Sequence, residues 1–196
     1  ICDDPYTSLD LSAVDSNAVR CPDTPTAERM AAIIDRARSE GDTVGGEVTC
    51  IISGVPAGVG NPVFGKLHAE LGSAMLSINA AKGVEFGDGF ALARARGSEV
   101  MDSFTTIDGN IATTANHSGG IQGGISNGAD IVLRVAFKPV ATLMRPIETI
   151  DCEGNVVTLE PRGRHDACVV PRAVPIVEAM AAITILDQLL LSNKYY

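Results

Sequence analysis

The chain has 196 residues, 45% apolar and 20% charged, which is ordinary globular composition with length for one domain and a sizeable core, and excludes a disordered chain. A net charge of −9 with no long Lys/Arg run excludes sequence-independent binding to nucleic acid or anionic membrane, both of which need a basic footprint. Five scattered cysteines, with no CxxC pair and no histidine spaced to complete a zinc site, exclude a metal centre and point to reduced thiols in a cytoplasmic protein.

The opening "ICDDPYTSLD" has neither a basic n-region nor an apolar h-region, so no signal peptide is expected. A start at Ile1, with no methionine before Met30, is expected of a piece of something longer. Twenty glycines and ten prolines against five phenylalanines and three tyrosines predict many shaped loops around an aliphatic core, and loops are where function concentrates.

"CPDTPTAERMAAIIDRARSEG" predicts a helix with Thr24 as N-cap, Pro25 at the first helical position and Gly41 as terminator. Met30, Ile33, Ile34 and Ala37 form its buried stripe, and Arg29 and Arg36 fall on the solvated face. "TVGGEVTCIIS" alternates as a half-buried strand with Val44, Val48, Cys50 and Ile52 inward, which makes Cys50 a core thiol. A second helix follows, with Phe64, Leu67, Leu71, Met75 and Ile78 as its inward stripe and His68 beside it as a satisfied, partly buried histidine.

"KGVEFGDGF" predicts a short strand, and Ala93 to Asn116 a long flexible or ligand-facing loop. "NHSGGIQGGISNG", Asn116 to Gly128, holds five glycines whose N–H groups either cradle an anion or form a mobile surface turn. It matches neither well-known nucleotide fingerprint. A strand with Ile131, Leu133, Val135 and Phe137 on one face comes next. At its end, Lys138 either meets a phosphate, helped by the Val140–Thr142 backbone and the Thr142 hydroxyl, or is merely solvated.

"TLMRPIETIDCEGNVVTLEP" predicts a hairpin around Glu153-Gly154-Asn155. "RGRHDACVVPRAV" then gathers Arg162, Arg164, His165, Asp166 and Arg172, either an anion site with Asp166 as general base or a salt-bridge cluster. The last helix, from about Pro175 to Leu191, is apolar nearly all round and should be covered on more than one side. Glu178, Thr184, Asp187 and Gln188 make it too polar for an easy membrane span.

Taken together, "DSNAVRCPD", "SGVPAGVGNPVFGKL", "SINAAKGVEFGDGF", "NHSGGIQGGISNG", "LRVAFKP" and "RGRHDACVVPRAVPIVEAM" give the chain a strong resemblance to the chorismate synthase family, whose order and spacing they follow. The resemblance covers essentially the whole chain, residues 1–196, as the C-terminal portion of a single domain whose N-terminal portion is absent. It implies an α+β fold, a layered β-α-β sandwich with antiparallel sheets, in homotetramers. It also implies an enzyme that converts 5-enolpyruvylshikimate 3-phosphate to chorismate by anti-1,4-elimination of phosphate, using reduced FMN. Whether NADPH on the enzyme or another source reduces the flavin is open in these motifs.

By the same resemblance, Asn79, Ala80, Gly123, Lys138, Pro139, Val140, Ala141, Thr142 and Arg164 are flavin contacts, and Asp166 relays the ring proton. Ala167 stands where the family commonly has proline, which is expected to loosen the catalytic loop, and His68 where it has aspartate. The family's catalytic histidines, most of its substrate-binding arginines and its Gly-Arg-Ser-Ser-Ala-Arg type flavin segment belong to the other half, so this chain alone is expected to be inactive. The alternatives are a non-catalytic flavin- or phosphate-binding module and, as a weaker third reading, a purely structural assembly domain.

Overall fold

The first helix is fixed by one buried carboxylate. Asp23, 0% exposed and in extended conformation, accepts the Thr26 N–H at 2.9 Å and caps α1, Thr24–Ser39. The N-cap is therefore Asp23 rather than Thr24, because the capping oxygen must reach the N–H three residues on. Met30, Ile34 and Ala37 are buried as the periodicity predicts. Arg29 departs from the expected solvated face: it is half-buried, and its guanidinium donates to Thr26 Oγ1 at 2.8 Å.

The computed structural model describes residues 1, 9–107, 109–163 and 165–192. Its contacts divide the chain into two compact units, Ile1–Glu47 with Phe137–Val174, and Val48–Ala136 with Pro175–Tyr196.

In the first unit, a 3-10 helix, η1 (Leu11–Ser16), precedes α1. The late hairpin appears as predicted, with β8 (Ile147–Ile150) antiparallel to β9 (Val156–Leu159). Its turn is closed by Asp151 Oδ1, which accepts the N–H groups of Glu153 and Asn155, both at 2.9 Å. Hydrogen bonds from Asn155 hold that carboxyl below its ordinary value.

The second unit is built on a sheet of β1 (Gly46–Ile52), β7 (Ile131–Phe137) and β2 (Ala81–Phe86), with β7 central. Being flanked on both edges suits β7, whose Ile131, Leu133 and Val135 are all 0% exposed. The helix α2 (Leu67–Leu76) packs on β2 through Leu67, Leu71 and Met75, each also fully buried. Burying each such side chain stabilises by about 2 kcal/mol. Phe64, expected on the same stripe, precedes the helix and is 93% exposed. His68 is likewise exposed rather than partly buried, and meets Phe86 edge-on at 6.1 Å.

The stretch expected as a long loop holds structure of its own. A 3-10 helix η2 (Gly89–Arg94) leads to an antiparallel hairpin, β3 (Phe104–Ile107) with β4 (Asn110–Thr113). Thr105, Thr106 and Ile107 carry the β-branched pattern of a strand, which the polar composition around them obscured. Two very short strands, β5 (Ile121–Gln122) and β6 (Ile125–Ser126), close the glycine-rich stretch. The whole is an α+β fold with antiparallel hairpins, as expected.

Helix α3, Val170–Ser192, begins earlier than predicted and carries Pro175 inside it. As the sixth residue of the helix, Pro175 removes the hydrogen bond that an N–H there would give to the Pro171 carbonyl, one turn from the helix start. Only one stripe is covered: Ala173, Val177, Ala181, Ile185 and Gln188 are buried, whereas Ile176, Ile183, Leu186 and Leu190 are exposed. That corrects the expectation of cover on more than one side. With a mean hydropathy of 1.8 over its apolar window, α3 is long and apolar enough to cross a membrane by length and composition, despite its interspersed polar residues. Within this chain it buries a single stripe, which includes Gln188.

Gly72 offers a simple check on α2. A Cβ there meets nothing within 4 Å, so Gly72→Ala is expected to raise stability by about 0.5–1 kcal/mol through the higher helix propensity of alanine. The measurement is Tm in the complete polypeptide. A lower Tm would show that this face is covered in the complete protein.

Candidate active site

The cationic junction lies in the first unit. Arg145, Arg162 and His165 line a cavity of about 640 Å³ together with Ala141, Thr142 and Glu160. Two residues of the predicted flavin loop, Ala141 and Thr142, therefore share a pocket with three potential cations. The loop is tied down from below: the Thr43 hydroxyl donates to the Val140 carbonyl at 2.7 Å, and the Met144 N–H to the Gly41 carbonyl at 2.9 Å. Arg145 pairs with Asp42 at 3.1 Å. His165 Nε2 donates to the Arg162 carbonyl at 2.8 Å, which orients the ring. Lys138 and Pro139 are exposed at the end of β7, and Val140 is half-buried. Arg164 lies outside the described residues.

Asp166 lines a different cavity, of about 340 Å³, with Asp35, Arg38 and Cys168. Its Oδ2 sits 2.9 Å from the Arg172 guanidinium. Ala167, the departure from proline, is only 6% exposed, and its carbonyl accepts the Val44 N–H at 2.8 Å. Because the bond uses the carbonyl, alanine keeps the backbone anchored there as proline would. Burial pushes the neighbouring Cys168 thiol up, so it is protonated at neutral pH. At this junction the structure shows the Asp166–Arg172 ion pair, and separately a cavity lined by Arg145, Arg162, His165 and Glu160.

In the second unit, the glycine-rich turn is firmly held. The Asp102 carboxylate, 5% exposed, accepts the His117 N–H at 2.8 Å and the Ser118 N–H at 2.7 Å. His117 Nδ1 donates to Asp88 Oδ2 at 2.6 Å. Asn116 accepts the Gly120 N–H at 2.6 Å and donates to the Asp130 carbonyl at 2.8 Å. The Ser126 hydroxyl bridges the Pro56 carbonyl and the Val59 N–H. With these cross-links the turn forms a platform tied to neighbouring segments at several points.

One part of that platform stays open. Gly123 and Gly124 form the two-residue turn between β5 and β6, with φ of +62° and +93°, the geometry that favours glycine at both positions. Gly124 is buried against Lys66, but at Gly123 a Cβ would meet nothing within 4 Å. Elsewhere in this unit, Asn79 is exposed and Ala80 adopts a left-handed φ of +69°, as do Arg20 and Val63 in the chain with φ of +55° and +70°.

Burial opposes ionisation of Asp102, but the N–H groups of Ser118 and His117 outweigh it and hold the carboxyl below its ordinary range. Its stabilising contribution is present at neutral pH and is lost as pH falls below about 3.9. Cys50 is half-buried rather than part of the core, and its thiol is pushed up to about 11, first by burial and then by Glu178. Cys21, Cys50, Cys152 and Cys168 are all free. Among the described residues, no group of three or more His, Cys, Asp or Glu is placed to hold a metal ion.

The chorismate synthase family model matches residues 7–190. The chain belongs to the chorismate synthase family. It is 60% identical over 188 residues, 96% of its length, to chorismate synthase from Bacteroides thetaiotaomicron, of which that alignment covers 52%. It is similarly 56% identical over 194 residues to the Flavobacterium psychrophilum chorismate synthase, covering 54% of that protein. A crystal structure of chorismate synthase matches with a TM-score of 0.76 and 32% identity, over 92% of this chain and 47% of that one. The chain thus spans about half the length of the chorismate synthases it matches.

Sequence reasoning found the glycine turn and the Arg-His-Asp junction but missed their supports. Asp102 lies in the stretch expected as loop, and nothing in "EVMDSF" marks a carboxylate as buried. Asp88 and Arg145 were equally silent, since each acts through a partner remote in sequence, His117 and Asp42 respectively.

Proposed function

We infer that the complete polypeptide to which this chain belongs is a chorismate synthase, eliminating phosphate from 5-enolpyruvylshikimate 3-phosphate to give chorismate. The observation that carries this function is the 60% identity to a chorismate synthase over 96% of the chain. A cytoplasmic homotetramer that uses reduced FMN, with NADPH as one possible source of its electrons, belongs to the same proposal.

A phosphorylated flavin suits the residues present. Gly123 leaves its backbone open to close approach, and Thr142 shares a cavity with Arg145, Arg162 and His165, donors of the kind a phosphate monoester takes. Asn79, Ala80, Gly123, Lys138, Pro139, Val140, Ala141, Thr142 and Arg164 hold it in this proposal, with Arg145 and Arg162 added on the phosphate side. Reduced FMN supplies electron density to the allylic system that loses phosphate, without net redox change. Asp166, with one carboxylate oxygen 2.9 Å from the Arg172 guanidinium, relays the ring proton in this proposal.

The test is an anaerobic assay of the complete polypeptide with reduced FMN and 5-enolpyruvylshikimate 3-phosphate. Chorismate and phosphate in equal amounts are expected. FMN binding without chorismate would favour a non-catalytic flavin module instead. The phosphate assignment has its own check, because riboflavin lacks that group. Arg162→Ala is expected to weaken FMN roughly tenfold and leave riboflavin unchanged, the loss of one charge-assisted hydrogen bond. Equal weakening of both flavins in a fluorescence titration would take Arg162 away from the phosphate.

A further inference from the structure

Asp102 touches the glycine turn at two places. Its carboxylate accepts the N–H groups of His117 and Ser118, at 2.8 and 2.7 Å, where the turn begins. Its carbonyl accepts from Gln122 Nε2 at 3.2 Å, and Gln122 is the residue immediately before Gly123. Gln122 Oε1 in turn accepts from Asn127 Nδ2 at 3.1 Å, on the far side of the Gly123-Gly124 turn. Successive N–H groups facing one anion make the kind of concavity that binds ligand phosphates in other proteins. Here the chain's own carboxylate fills it. Such N–H groups at the start of the turn are therefore not available to an external anion, and the open part of the platform narrows to its Gly123 tip.

We propose that Asp102 is a positioning residue for flavin binding, holding the Gly123 tip in place from both ends of the segment that leads to it. The assignment rests on Gly123 being a flavin contact. Without the carboxylate, two half-buried N–H groups lose charge-assisted partners, and the segment between Ser118 and Gln122 relaxes. Asp102 touches no reacting atom in this role; it acts through the backbone it holds.

The experiment is an FMN titration by fluorescence on the complete polypeptide, with amide hydrogen exchange at residues 117–124 followed in parallel. Asp102→Ala is expected to weaken FMN by about tenfold or more and to speed exchange at His117 and Ser118. Asp102→Asn keeps the shape and one accepting oxygen, so it should recover most of the affinity. If the alanine variant does not fold, the asparagine variant carries the test, with a weakening of about threefold expected. Val48→Ala, a buried truncation in β1, serves as a control that lowers Tm without touching the turn.

Folded Asp102→Ala that binds FMN as the unaltered protein does would overturn the proposal, as would a loss of affinity in Val48→Ala equal to that in Asp102→Ala. In the second case general destabilisation accounts for the effect. Failure of the unaltered polypeptide to bind FMN at all would remove the flavin assignment of Gly123 and this proposal with it, an outcome distinct from the other two.

Discussion

Asp166→Asn in the complete polypeptide is expected to lower turnover by about 10²–10⁴-fold while changing FMN affinity by less than about threefold. Asparagine keeps the size of the side chain and an oxygen for Arg172, which lies 2.9 Å away, so the junction keeps its shape. What it loses is the ability to take up a proton. The backbone around it is independently anchored by the Val44 N–H on the Ala167 carbonyl, which separates chemistry from loop order. Anaerobic turnover within threefold of the unaltered enzyme would remove Asp166 from the mechanism and leave its pairing with Arg172 as structural.

Gly87→Ala, which would push a methyl group into the glycine-rich turn, is expected to lower stability by on the order of 4 kcal/mol or more. Gly87 has φ of +55°, and a Cβ there would lie 2.0 Å from the His117 carbonyl oxygen and 2.4 Å from the Gly119 nitrogen. Both are backbone atoms of the turn, so no side chain is free to swing away. The Gly87 N–H also donates to the Val132 carbonyl at 2.9 Å, tying this close approach to the central strand β7. Relaxation would have to move β7 or the turn that Asp102 holds. Thermal unfolding of Gly87→Ala beside Gly72→Ala gives the comparison: a fall in the first and a rise in the second. Equal Tm values for Gly87→Ala and the unaltered protein would mean that the turn yields easily and is no rigid platform.

Some of the chain was legible because periodicity and burial coincide. The alternation in "IVLRVAF" marked Ile131, Leu133, Val135 and Phe137, and all four are buried in β7. Leu67, Leu71 and Met75 stood out for the same reason at helical spacing. Where the stripe was extended to Phe64 it failed, because periodicity cannot show where a helix begins. The N-cap was misplaced by one residue on the same ground: Asp23 and Thr24 are both good capping residues, and only the bond to Thr26 distinguishes them. The hairpin β3 to β4 went unread because its short strands sit in a polar stretch with little apolar alternation.

The sequence by itself determined the motif content, from "NHSGGIQGGISNG" to "RGRHDACVVPRAVPIVEAM", and with it the family. It also determined that α3 is apolar nearly all round. Tertiary structure alone decided which side of α3 is covered, with Val177, Ala181 and Ile185 buried and Ile183, Leu186 and Leu190 exposed. It decided that Asp166 and Thr142 line separate cavities, and that Asp102 fills the start of the glycine turn and leaves Gly123 open. Periodicity and motif spacing act along a few turns of chain, whereas a carboxylate meets N–H groups fifteen and sixteen residues away only after the backbone between them has folded.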